Sequence, residues 1–123
     1  MTWFRVAVQR GDLAGAMAEV DALRPLGLGP ALGLAVLLAE ARDPRADRAA
    51  ARWLARLALE RPGVGTAQLR VGLRAFDAVT TDRAGGRAQL AQLAAAHGVE
   101  GVEMLLRRAE RHGRPTDGEG PSG

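Results

Sequence analysis

The apolar residues of this chain recur every three or four positions, and this helical spacing constrains the fold more than any other feature. Leu69, Leu73 and Phe76 share one face of a predicted helix over 67–79. A second face of this kind is formed by Val99, Val102, Leu105, Leu106 and Ala109. No segment of four or more residues alternates apolar and polar side chains in a β-branched context. The sequence therefore predicts an all-α protein.

Start and stop signals divide the chain into about seven short helices. Asp12, Thr66 and either Thr81 or Asp82 can accept a hydrogen bond from a free N–H in a first helical turn. We predict helices over 2–10, 13–23, 31–41, 44–61, 67–79, 81 or 82 to 97, and 99–112. The third begins after Pro30, is apolar almost all round, and should therefore lie at the centre of the fold.

The connections between these helices are short, which favours antiparallel neighbours. The 123 residues suffice for one ordinary domain, and we expect a single all-helical domain over 1–112. Residues 113–123 are rich in Gly, Pro and charged side chains, and we expect a disordered tail there. The helices can form either a compact bundle or a short array of helical hairpins.

The hairpin array is suggested by a recurrence in the sequence. Asp12, Asp47 and Asp82 lie 35 residues apart, and helix pairs that recur at about this period are typical of helical-repeat proteins. The spacing of the small, large apolar, small and proline residues that close such a repeat is kept by Ala50, Leu54, Leu57 and Pro62, with Leu57 larger than the usual small residue. In these residues the chain resembles the tetratricopeptide repeat, and the resemblance implies stacked helical hairpins.

A second resemblance covers residues 51–110. The blocks "ARWLARLALERPGVGTAQLRVGLRAFDAV" and "LAQLAAAHGVEGVEMLLRRAE" are similar to small helical proteins of actinomycetes, a group that implies no particular activity. The chain also has no Lys, Ile, Asn or Tyr, residues whose codons are rich in A and T. We therefore expect an actinobacterial source with a GC-rich genome, in which Arg takes most of the places of Lys.

Catalytic and metal-binding side chains are scarce. The absence of Cys excludes disulfides, thiolate catalysis and Cys-ligated zinc. Ser122 is the single serine and lies in the tail, while His97 and His112 lie at predicted helix C-termini, where the helix dipole favours a positive charge. We expect a protein that is not an enzyme, with no metal site, no cofactor and no evident small-molecule substrate.

The longest uncharged run is 25–39, only 15 residues with two Pro and three Gly, whereas a membrane-spanning helix needs roughly 20 apolar residues. The N-terminus has Arg5 and Arg10 with too short an apolar run between them for a signal peptide. We expect a cytoplasmic protein without a membrane partner.

The most distinctive polar pattern is an arginine stripe on the predicted fourth helix. Its members are Arg45, Arg48, Arg52 and Arg56, which fall within an arc of roughly 80° at about 100° per residue. The stripe, with Trp53 at its edge, is our predicted contact surface for a protein partner or a second copy of the chain. A solvated helix face without a partner is the other interpretation, since this composition supplies Arg wherever a polar face needs charge.

DNA binding is the alternative function. A tight Gly-Val-Gly turn precedes a helix that carries Gln68, Arg70 and Arg74, and such side chains can reach base edges in a major groove. The net charge of +3 is compatible with nucleic acid but does not by itself argue for it. We therefore predict a protein–protein interaction or scaffold module, with a small DNA-associated regulator as the alternative. Trp3 and Phe4 are a further candidate pair of interface anchors. The aromatic side chains of both candidate surfaces could instead belong to the core.

Overall fold

The computed structural model describes residues 2–20 and 26–107, and these residues form seven helices and no strand. The helices are α1 Thr2–Arg10, α2 Leu13–Val20, α3 Leu28–Glu40, α4 Ala46–Glu60, α5 Thr66–Ala78, α6 Arg83–Ala96 and α7 Val102–Leu106. The predicted all-α class is confirmed, although α7 has only five described residues.

The helices pack as a compact bundle around α3. Successive helices pair as α1 with α2, α3 with α4, and α5 with α6, while α7 packs against α6, α3 and α1. Helix α3 contacts each of the other six helices, and nine of its 13 residues are buried. In a linear repeat array each unit contacts only its neighbours. The central position predicted for the third helix is therefore correct, and the packing is that of the bundle alternative.

The predicted aspartate caps are confirmed at two helix starts. Asp12 Oδ1 accepts a hydrogen bond from the Gly15 N–H at 2.9 Å, and Asp82 Oδ1 accepts one from the Gly85 N–H at 3.0 Å. Each bond satisfies one of the free donors of a first helical turn. Asp12 and Asp82 thus have the same local role at the starts of α2 and α6.

Several predicted boundaries differ from the observed ones. Helix α3 begins at Leu28, three residues before the predicted start, and Pro30 lies within its first turn, where a missing N–H breaks no helical bond. Helix α7 begins at Val102 instead of Val99, because Gly101 at φ 77° interrupts the segment. The predicted end of the second helix, residues 108–112 and the predicted tail 113–123 lie outside the described residues.

The end of α3 is closed by Arg42 in a left-handed conformation, with φ 54°. The Arg42 N–H bonds to the Ala39 carbonyl and the Asp43 N–H bonds to the Leu38 carbonyl, each at 3.0 Å. These two bonds form a Schellman motif, whose left-handed residue is usually Gly. The Arg42 side chain in turn donates to the Thr80 carbonyl at 3.1 Å, which links the end of α3 to the end of α5.

Gly86 of α6 lies directly against the backbone of Val79, at the end of α5. A Cβ atom at this position would lie 2.7 Å from the Val79 backbone nitrogen and 2.9 Å from its Cα. Backbone atoms cannot move aside as a flexible side chain can, so the crossing requires a residue without a side chain.

Candidate interaction surface

The arginine stripe follows an exposed side of α4, with Arg45 at the N-cap of the helix and the other three arginines within it. The opposite side of this helix packs into the core through Ala50, Trp53, Leu54 and Leu57. The most outward residues are Arg48, Arg52, Ala55 and Leu59, which we call the α4 outer face. Their spacing of four, three and four is that of a helix–helix seam. Leu59 is 87% exposed, the highest value among the exposed large hydrophobic side chains of the described residues.

Two of the four predicted stripe arginines are paired within the chain. Arg45 donates through Nε to Asp43 Oδ1 at 2.8 Å and through Nη2 to Asp43 Oδ2 at 2.9 Å. Arg56 Nε lies 2.7 Å from Glu60 Oε2, one helical turn further on. Both pairs are solvent-exposed, so each contributes little to stability.

The hydrogen bonds from Arg45, mainly from its side chain and then from its backbone N–H, lower the pKa of Asp43 to about 2. Its carboxylate therefore stays ionised throughout the physiological range. Arg45 and Asp43 together carry no net charge at neutral pH, and this end of the stripe offers little attraction to an anionic partner.

Arg48 and Arg52 differ from these two residues. Both are exposed, and within the part of the chain that the structure describes neither forms an ion pair. The positive charge available to a partner is therefore concentrated at the centre of the stripe, beside Ala55 and Leu59.

Trp53 does not lie at the edge of this surface, and its predicted position is wrong. It is 2% exposed, and its indole N–H donates to the Leu28 carbonyl at 2.8 Å. Its ring packs edge-on against Phe76, with 6.2 Å between the ring centroids. The two candidate anchors near the N-terminus differ from each other. Trp3 is 75% exposed and is available to a partner, whereas Phe4 is fully buried and belongs to the core.

The residues of the DNA-binding alternative are only partly available. The Gln68 side-chain oxygen accepts a hydrogen bond from the Gly65 N–H at 2.8 Å, which caps the start of α5. Arg70 and Arg74 are both exposed on α5. The structure thus leaves two of the three predicted side chains open to solvent.

Helix α5 forms a wall of two open grooves. The first, with a volume of about 520 Å³, has Ala50, Leu73 and Phe76 among its apolar lining and Asp47 and Asp77 among its polar lining. The second, of about 490 Å³, lies between α5 and α6 and includes Val71, Arg74 and Leu93. Leu73, which we predicted to lie on the buried face with Leu69 and Phe76, is 54% exposed.

A buried ion pair, Arg87 with Glu40, was not predicted. Arg87 is 2% exposed, and besides binding Glu40 it donates to the Leu106 carbonyl at 3.1 Å and to the Val8 carbonyl at 3.0 Å. These carbonyls belong to the last turns of α7 and α1. Four N–H donors of one guanidinium are used in this network, which points to a structural role in closing the bundle.

The described residues contain no group of three or more His, Asp or Glu side chains that could hold a metal ion. His97 follows the last residue of α6, and His112 lies outside the described residues. Within the same residues, no helix has both the length and the apolar content that crossing a membrane requires.

Comparisons with protein families, with curated proteins and with solved structures found no match. The resemblances to the tetratricopeptide repeat and to actinomycete helical proteins therefore stay predictions. The α4 outer face is the candidate functional site that the geometry favours most.

Proposed function

We propose that this chain is a non-enzymatic interaction module that binds a protein partner through the α4 outer face. The observation that carries the proposal is Leu59, which is 87% exposed and stands in line with Ala55 and the two exposed arginines Arg48 and Arg52. A leucine this exposed gains from burial at an interface. We also propose that the module acts in the cytoplasm of an actinobacterium, without a cofactor.

The chemistry of the face defines the partner. Arg48 and Arg52 offer guanidinium groups to carboxylates, while Ala55 and Leu59 offer an apolar surface that a helix can approach closely. The complementary partner is an amphipathic helix with acidic residues toward one end of its contact stripe and large apolar residues toward the other.

A synthetic helical peptide tests this proposal. Its contact stripe carries Glu and Leu at spacings of four and three, and a control peptide has the same composition in scrambled order. Fluorescence anisotropy should show binding of the first peptide only. Leu59→Ser and the double change Arg48→Glu with Arg52→Glu should each weaken it. Equal binding of both peptides, or binding unaffected by these changes, would overturn the proposal.

The same assay tests the DNA-binding alternative, which the exposure of Arg70 and Arg74 keeps open. The probe is duplex DNA, titrated from low to moderate salt. One variant carries Arg→Gln at Arg45, Arg48, Arg52 and Arg56, and a second carries Arg→Gln at Arg70 and Arg74. Phosphate contacts release counterions, so DNA binding must weaken steeply with salt and be lost in the variant whose arginines make the contacts. That result would favour the regulator over the protein-binding module.

A further inference from the structure

The outward side of α5 carries a stripe of its own. Thr66, Arg70, Leu73 and Asp77 repeat the spacing of four, three and four, and all four are exposed. We call them the α5 stripe. Leu73, at the centre of this stripe, is 54% exposed. Within the described part of the chain, neither Arg70 nor Asp77 has an ion-pair partner.

The order of charges along this stripe is self-complementary. Arg70 and Asp77 lie on either side of Leu73, on the same face and two helical turns apart. If a second α5 lies antiparallel to the first, with a two-fold axis between positions 73 and 74, Arg70 of each copy faces Asp77 of the other. A two-fold interface requires this reciprocity, in which residue i meets residue j and j meets i.

We propose that two copies of this chain associate through the α5 stripe in this antiparallel arrangement. The two Leu73 side chains then lie beside the axis, and two reciprocal Arg70–Asp77 ion pairs flank them. A parallel arrangement would instead bring like charges together and is disfavoured.

The groove next to α5 provides space for the partner's leucine. Leu73 and Asp77 both line this groove of about 520 Å³, and Phe76 and Ala50 contribute apolar lining. Insertion of the partner's Leu73 removes apolar surface from water on both copies. One helix face buries less than the roughly 800 Å² per partner of a standard interface, so we expect a dimer that dissociates on dilution.

This inference stands apart from the function proposed above, because it uses α5 and not the α4 outer face. The chain can bind an acidic helix as a monomer, and it can dimerise without such a partner. Variants of the two faces therefore report on the two proposals separately.

Charge reversal on the full-length chain tests the arrangement by sedimentation velocity over a concentration series. Arg70→Glu and Asp77→Arg should each raise the dimer dissociation constant about tenfold, since the repulsive contact occurs twice in a symmetric dimer. An equimolar mixture of the two single variants should form a heterodimer, because each new charge then faces its opposite. The double variant should dimerise again for the same reason.

The matched control is Arg5→Glu, an exposed arginine on α1, a helix that does not pack against α5. It should leave the dimer unchanged, and circular dichroism should show that every variant keeps its helix content. A wild-type chain that stays monomeric at its highest soluble concentration would overturn the proposal. So would a dimer that neither single reversal weakens, or single variants that fail to associate when mixed.

Discussion

Arg87 and Glu40 form a buried ion pair that joins α6 to the last turn of α3. Nε of Arg87 lies 2.5 Å from Glu40 Oε2, and Nη2 lies 2.7 Å from Oε1, so the guanidinium and the carboxylate meet through two parallel bonds. Their side chains are 2% and 5% exposed. Both charged groups are shielded from water, and the cost of this desolvation is offset only if the two groups keep this paired geometry.

Replacement of Arg87 by Met should therefore lower the free energy of unfolding by about 3–5 kcal/mol, because Glu40 keeps a charge in the core without its guanidinium. Urea unfolding measures the change. Addition of Glu40→Leu should recover part of the loss, since no carboxylate then remains buried. The matched control is Arg83→Met, at an exposed site of α6, which should lower the free energy of unfolding by no more than about 0.5 kcal/mol. A loss from Arg87→Met as small as that of the control would contradict the assigned role.

Gly86→Ala should destabilise the protein by about 1–3 kcal/mol, although Ala is the better helix former. The new methyl group would press on the Val79 backbone at the crossing of α5 and α6. Thermal unfolding followed by circular dichroism measures the effect. The matched control is Ala88→Gly at an exposed site of α6, which should cost about 1 kcal/mol through helix propensity alone. A variant more stable than wild type would show that the crossing has room for a side chain.

The two tryptophans should differ in fluorescence. A Trp3→Phe variant retains the buried Trp53 and should emit at shorter wavelength, with protection from acrylamide quenching. A Trp53→Phe variant retains the exposed Trp3 and should emit at longer wavelength with full quenching. The second variant should also lose about 1 kcal/mol of stability, because the bond to the Leu28 carbonyl is gone. Equal quenching of both variants would contradict the burial of Trp53.

Asp43 should titrate with a pKa of about 2, below the ordinary aspartate value of 3.8. A carboxyl group whose pKa is lowered in the folded state stabilises the fold above its unfolded pKa, and the contribution disappears as the pH falls through the folded pKa. The contribution of Asp43 is therefore complete above about pH 4 and is lost between about pH 4 and pH 2. Because the Arg45 side chain is the main cause, Arg45→Gln should raise this pKa toward 3.8. Carboxyl carbon chemical shifts in a pH series measure both values, and an unchanged pKa in the variant would contradict the cause.

Local signals were sufficient to predict much of the fold. Asp12 and Asp82 each cap the start of a helix because a carboxylate can reach the N–H three residues on, and that rule needs no tertiary contact. The apolar third helix is central because no side of it can face water. The predicted start of α3 was three residues too late, because the first turn of a helix tolerates a proline such as Pro30 at more than one position.

The surfaces were harder to predict because helical spacing gives the direction of a side chain but not what lies opposite it. Leu73 shares a face with Leu69 and Phe76, yet it projects into an open groove. Arg87 lies three residues before Leu90 and four before Ala91 on the buried side of α6, and this position was the available signal for its burial. Because the chain has 17 arginines, the sequence alone could not distinguish Arg87 from the surface arginines. The position of Glu40 in the fold was needed for that.

The hydrogen bonds of Arg87 also bear on synthesis at the ribosome. The chain emerges from its N-terminus, so Val8 and Glu40 leave the exit tunnel long before Arg87 does. Leu106, whose carbonyl also binds this guanidinium, emerges later still. The network that fastens α1 and α3 to α6 and α7 is therefore completed only after Leu106 has left the tunnel. Closure of the bundle is thus a late event in the synthesis of this protein. Nascent chains that end before α7 lack one of the contacts that hold Arg87 in the core.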